Sequence, residues 1–332
     1  MPYATKHYVI GAVTAAVLAA GMGTATAQAA PDQATCSWTV QKLPAVPGFT
    51  QSFSYGTDHG SHVFGAVTND SGLTESPVVW STDVGTPPHL LGSAHGSSTR
   101  ITALNAAGVA VGYYHDATGR HPVRYVNGAY QDLPVPAGAG TAEAVDVNAG
   151  GDIVGTVDDS IILWRADKPG TYSLLPKASG DSAGASGIDN ARNIVGTLSH
   201  GDQTTTYVWN SAGKAVALST VAAGDWVDPR GIRNGRVAGT EQGGAIVWDL
   251  SGHVLWHLAD HGVSSINADG LASGWQNVPD GLVQQLLRNG KVVAPIPTVS
   301  DHFSASGGAS ALTDSGLLAG DVEQQAATAR CR

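Results

Sequence analysis

Gly180-Asp181-Ser182-Ala183-Gly184 has the G-x-S-x-G spacing that presents a nucleophilic serine in many hydrolases. That chemistry needs a strand before the serine and a helix after it, so that the hydroxyl stands exposed beside an oxyanion hole. No helical periodicity follows Ser182, and with 43 glycines in 332 residues such a match arises by composition alone. His257 and His261 are four residues apart, a spacing that brings two imidazoles together only on a helix, and no Glu follows His257. Asp58, His59 and His62 form a second polar cluster, in a turn-like Asp-His-Gly-Ser-His run. Neither supplies a full set of metal ligands. Asp146, Asn148 and Asp152 have a faintly calcium-like spacing, and no EF-hand, phosphate-binding loop or dinucleotide fingerprint is present. The sequence therefore assigns no catalytic residue, no metal ligand and no cofactor.

The elements that would carry such residues come from a repeat. Leu104-Asn105 leads through Gly108 to Gly112, and Val147-Asn148 leads through Gly151 to Gly155. The pattern returns from Ile188-Asp189 to Gly196, from Ile266-Asn267 to Gly274 and from Leu312-Thr313 to Gly320. A shortened copy runs from Ile232 to Gly239, and a degraded first copy from Thr57-Asp58 to Gly65. The closing glycines are 47, 43, 41, 43, 35 and 46 residues apart. That spacing matches the roughly 40–45 residues of one four-stranded propeller blade.

Each unit reads as four short strands, a to d. An apolar residue ends strand a, an Asn or Asp opens a tight turn, and Gly three residues on closes it with left-handed backbone. Strand b is the Ile-Val-Gly run, whose glycine suits a close backbone approach. Strand c carries Trp80, Tyr125, Trp164, Trp209 or Trp248, aromatics expected to pack blade on blade. Strand d ends in Leu, as at Leu133-Pro134 and Leu175-Pro176. After Gly320 the chain has room for strand c but not strand d, and Cys36 to Pro44 reads as the missing strand. The fold expected is all-β: one seven-bladed propeller over 30–332, its termini paired in the last blade. A disulfide between Cys36 and Cys331 would stand where other blades have a hairpin turn. In an exported chain with only two cysteines, a pair is the expectation.

Residues 1–29 read as a secretory signal peptide. Lys6 and His7 precede an apolar stretch from Val9 to Ala20, and Ala27-Gln28-Ala29 gives a cleavage site. A stretch of about 12 apolar residues is too short for a bilayer that needs about 20. The expected location is extracellular. A net charge of −10 and only 13% charged residues disfavour a nucleic-acid or anionic-membrane partner and also coiled coils. A monomer is expected.

Through these I-N-x-x-G-x-x-V-G units the chain resembles the HAF-type extracellular repeat proteins of actinobacteria, which form β-propellers. One secreted seven-bladed member of that group acts on a neutral metalloprotease and is a glutamine substrate of transglutaminase. The resemblance implies those two partners, with Gln33, Gln324 and Gln325 as candidate glutamines. From the residues themselves, the mouth of the central channel is where strands a begin. Arg100, Glu143, Asp146, Asp228 and Arg230 fall there, beside Asp225 and Trp226. Paired carboxylates in that place could perform glycosidase or lyase chemistry. The same residues could equally form the polar rim and aromatic anchor of a protein-binding face. The sequence leaves both open.

Overall fold

The computed structural model describes residues 36–69, 75–220, 226–296, 303–306 and 311–332. The signal-peptide segment 1–29, Gln33 and Asp225 lie outside the described residues. The described chain is a seven-bladed β-propeller: seven sheets, each of four antiparallel strands. A single 3-10 turn, Ala94–Gly96, is the only helix among the described residues. Blade 1 is built from Gln51–Thr57, His62–Thr68, Ser76–Ser81 and His89–Leu90. Blade 2 follows with Ser98–Leu104, Ala110–Asp116, Gly119–Val126 and Ala129–Asp132, and blade 3 with Ala142–Val147, Ile153–Val157, Ser160–Trp164 and Ser173–Leu174. Blade 4 comprises Ser182–Ile188, Ile194–His200, Gln203–Trp209 and Ala215–Ala217. Blade 5 comprises Val227–Arg233, Arg236–Glu241, Gly244–Asp249 and Val254–Ala259. Blade 6 has His261–Ile266, Ala272–Val278, Gly281–Arg288 and Lys291–Pro295.

Blade 7 takes Phe303–Ala305, Leu317–Val322 and Gln325–Cys331 from the C-terminal end and Trp38–Lys42 from the N-terminal end. Trp38 lies opposite Cys331, and the backbones of Ser37 and Arg332 exchange two hydrogen bonds. Cys36 and Cys331 form the disulfide, with Cα atoms 5.4 Å apart.

The apolar residues form one wedge in each seam between neighbouring blades, as expected for units that cannot bury a face alone. The strand-c tryptophans sit in those wedges. Three of their indole N–H groups donate to the carbonyl at the end of the preceding blade: Trp80 to Pro44 at 3.0 Å, Trp164 to Pro134 at 2.7 Å and Trp248 to Ser219 at 2.7 Å. The Leu-Pro ending and the strand-c aromatic are thus two halves of one joint.

The turn residue does two things. The Oδ1 of Asn105 accepts from the backbone of Ala107 and Val109, closing its own turn. Its amide then donates to the Asn148 carbonyl of the next blade, and Asn148 repeats the donation to Asp189 and Asn267 to Thr313. All three asparagines are buried. Asp58 and Asp189 hold the same position but have no N–H to donate. The left-handed turn residue is glycine at 108, 151, 270 and 316, but Arg192 takes it in blade 4 with φ of 65°. Its guanidinium donates to Asp152 of blade 3, which offsets the steric cost of that backbone.

The closing glycine of each unit has a distinct cause. In blades 1 to 6 the innermost strand has a β-bulge opposite it. A Cβ on Gly65 or Gly112 would lie 1.9 Å from the carbonyl oxygen of Phe53 or Arg100, and one on Gly196 would lie 2.3 Å from that of Gly184. Gly196→Ala is therefore expected to cost roughly 3 kcal/mol, the upper range for overpacking. Chemical denaturation checks this, and a loss under about 0.5 kcal/mol would show that the bulge yields easily.

Candidate functional site

The innermost strands surround a central channel holding a cavity of about 270 Å³, bordered by Tyr55, His59, Arg100, Asp146, Ser186 and Arg233 among others. Arg100, Ile101, Thr102 and Ala103 all border it in succession, which period-two alternation alone forbids and the bulge at Thr102 permits. Tyr55 and Arg230 are themselves bulge residues, re-aimed in the same way.

Three acids at the mouth, Glu75, Glu143 and Asp228, are each paired with an arginine, and each of those arginines lies against an aromatic ring. Arg100 is 4.0 Å from Glu75 and stacks 4.3 Å over the Tyr55 ring, while the Tyr55 hydroxyl donates to Glu75 at 2.8 Å. Burial and then Glu75 raise the Tyr55 pKa well above the ordinary phenol value. Arg120 pairs with Glu143 at 2.7 Å and lies 4.9 Å over Tyr113. Arg230 pairs with Asp228 at 2.7 Å and lies 5.7 Å over Trp275. The Trp275 indole in turn rests on Gly262, where any Cβ would collide with it. Trp226, directly before the first strand of blade 5, is 51% exposed. The pairs are partly solvated, so each contributes little stability, but together they fix the guanidinium planes.

Asp146 lies deeper, within the channel rather than at its rim. Its surface borders the cavity instead of bulk water, so it is partly exposed yet desolvated. Its oxygens accept from the backbone of Val147 at 2.8 Å and Ile188 at 2.9 Å. Burial outweighs these bonds and pushes its pKa up to about 6. Burial does the same to Asp321, also to about 6. At the turn side of the channel, Arg233 donates to Asp314 of blade 7. His59 sits beside them with left-handed backbone, and burial, then Arg233, lowers its pKa to about 4.

The other sequence candidates do not converge. Ser182 starts the inner strand of blade 4 opposite Ser199, and its hydroxyl donates to Asp159 at 3.3 Å. His200, next to Ser199, therefore faces the other side of the sheet, where it pairs with Asp181 at 2.7 Å. His257 lies 3.1 Å from Glu241 in blade 5, whereas His261 belongs to blade 6 and lies 3.1 Å from Gln285. Asn148 and Asp152 bond each other while Asp146 faces the channel. Among the described residues no group of three or more His, Cys, Asp and Glu side chains could hold a metal ion. Gln324 and Gln325 are exposed at the turn between strands b and c of blade 7, where Gln324 accepts from Gln51 at 2.8 Å. Tyr55, Glu75 and Arg233 carry no mark in the sequence that sets them apart. Tyr113 and Trp275 each directly follow a closing glycine, a position that carries a usable signal.

No family model matches the sequence, and no curated protein matches it either. Solved structures do resemble the fold. Virginiamycin B lyase from Staphylococcus aureus superposes with a TM-score of 0.58 at 12% identity, covering 89% of this chain and 99% of that one. YCF48 from Cyanidioschyzon merolae gives 0.52 at 12% identity over 89% and 98% of the two chains. A prolyl endopeptidase gives 0.60 at 15% identity, over 82% of this chain and 45% of that one. At such identities the likeness shows the propeller alone.

The Asp146 carboxyl sets a pH dependence. Its pKa is raised above 3.8, so the folded state holds the extra proton and its contribution falls as pH climbs from about 4 through about 6. Asp146→Asn removes that term, while Asp321, with the same sign, and His59, with the opposite one, cancel in the comparison. The variant is expected to gain on the parent by ~2 kcal/mol between pH 4 and pH 7.5. Denaturant melts of both proteins across that range read the difference, and a flat one would show that Asp146 stays hydrated.

Proposed function

We propose that this protein is a secreted propeller without catalytic turnover that works by binding another extracellular protein at the channel mouth. The observation that carries the reading is the state of the mouth acids. Glu75, Glu143 and Asp228 are each bound to an arginine, which leaves none of them positioned as a free general acid or nucleophile. The mouth offers instead flat guanidinium–aromatic pairs around the exposed Trp226, the composition of a binding face. The disulfide agrees with an oxidising compartment, and among the described residues no helix is long and apolar enough to cross a membrane.

Resemblance in the repeat units supplies the finer proposal. Like dispase autolysis-inducing protein, the chain would act on a neutral metalloprotease and shift its self-cleavage. Its exposed Gln324 and Gln325 are then the glutamines offered to transglutaminase, alongside Gln33. A net charge of −10 favours a basic partner face, and such association weakens as salt rises.

A second reading, a glycoside-type hydrolase or lyase, is favoured by one observation: Asp146 borders a cavity with a pKa of about 6. Its oxygens are already engaged by two backbone N–H groups, which is why binding is preferred. The test incubates purified protein with a secreted neutral metalloprotease, and separately with polysaccharide and ester substrates. Binding predicts altered protease survival that weakens several-fold in Trp226→Ala and persists in Glu143→Gln and Ser182→Ala. Substrate turnover abolished by Asp146→Asn or Glu143→Gln would overturn it.

A further inference from the structure

A second cavity, of about 310 Å³, opens at the seam between blades 1 and 2, on the side of the ring where the a–b turns lie. It shares no residue with the channel mouth. Its walls include Val79, Pro87, Leu91, Leu104 and the Tyr125 ring. The Tyr125 hydroxyl is already bonded to His89 at 3.1 Å, so this residue turns an apolar ring face and edge to the space. The volume suits one or two aromatic rings.

One polar group at this cavity is oriented from behind. Asp58 is buried, and its Oδ1 accepts from the backbone of Gly60 at 2.7 Å and His62 at 2.9 Å. Its Oδ2 lies 2.7 Å from Nδ1 of His62, whose ring lines the cavity. A carboxylate can only accept, so whenever the imidazole carries one proton the pair holds it on Nδ1 and leaves the lone pair on Nε2. In blade 4 the same brace is an amide, Asn193 to Asp189 at 2.8 Å. An imidazole braces the turn equally well and keeps a second nitrogen for something else.

The seam itself has a reason to open here. Asn105, Asn148 and Asn267 each donate to a turn carbonyl of the following blade, and Asp58 cannot. Asp189 cannot either, and it borders a turn-side cavity of about 500 Å³ that reaches Arg233, Ala268 and Asp314 of blades 5, 6 and 7.

We propose that the seam between blades 1 and 2 is a binding site for a planar aromatic group bearing a hydrogen-bond donor, a phenol or an indole N–H, with Nε2 of His62 as the acceptor. Apolar walls take the ring, and the oriented nitrogen selects rings that can donate. A neutral hydrogen bond of this kind is worth about 0.5–1.5 kcal/mol, or roughly two- to twelve-fold in affinity.

The experiment titrates the full chain with p-cresol and with toluene, which matches it in shape but lacks the hydroxyl, following the His62 ring by ¹H–¹⁵N NMR. The expected result is saturable binding of p-cresol, about five-fold tighter than toluene, with the preference lost in His62→Leu. Thr86→Trp, on the exposed loop that borders the cavity, fills the space without touching the turn and is expected to block both ligands. N-acetyl-tyrosinamide binding as well as p-cresol would assign the site to a partner's side chain, and p-cresol alone binding would assign it to a free phenol. Absence of saturable shifts, a preference that survives His62→Leu, or binding that survives Thr86→Trp would each overturn the proposal. Such failure would leave the channel-mouth reading untouched.

Discussion

In blades 1 to 4 and in blade 6, a carbonyl oxygen of the innermost strand occupies the space a Cβ would need on the closing glycine of its neighbour. That contact is possible only because the neighbour is glycine, and most of the architecture follows from it. The oxygen can come so close because the inner strand bulges there, and the bulge turns successive side chains toward the axis. Tyr55, Thr102, Val145, Ser186, Arg230 and Ser264 are the residues released from pairing. The same local distortion that lets inner strands crowd around an axis also supplies the side chains that line it. Structure and candidate site therefore share one cause.

The ring is held by interactions that each span a seam. Apolar wedges, indole-to-carbonyl bonds and asparagine-to-turn bonds all connect one blade to the next. Stability in such an arrangement is a sum of neighbour terms, and a single altered residue changes one joint without disturbing the others. Asp58 and Asp189 illustrate this, since each leaves out one such asparagine bond while all seven blades keep their four strands.

Much of this was legible in the residues. The spacing of glycines fixed the blade number, and the missing fourth strand at the C-terminal end pointed to closure by Trp38–Lys42. Local rules reached that far because each repeat states its own turn chemistry. What remained hidden depends on which blade a side chain leans toward. Nothing in the sequence tells that Arg120 rather than Arg100 would take Glu143, or that Glu75 would cross to Arg100. The sequence groups Asp146 with the rim because strand numbering gives direction along a strand, not depth in a channel whose inner strands are bulged. Arg192 broke the glycine rule for a reason visible only in three dimensions, the carboxylate of Asp152 within its reach.

The closing strand has a consequence for how the molecule is made. Trp38–Lys42 is the first strand of the ring in chain order, and its partner Gln325–Cys331 is the last. Until the two pair, one blade lacks its outer edge and the first strand has no hydrogen-bond partner. Contacts so distant in the chain form slowly, and unpaired strands are sites of self-association while they wait. Both strands must therefore be present before the circle can shut, so a chain cut short of Gln325 is left as an open arc with two unpaired edges. The oxidation of Cys36 and Cys331 is correspondingly a report that the first and last strands of the ring have met.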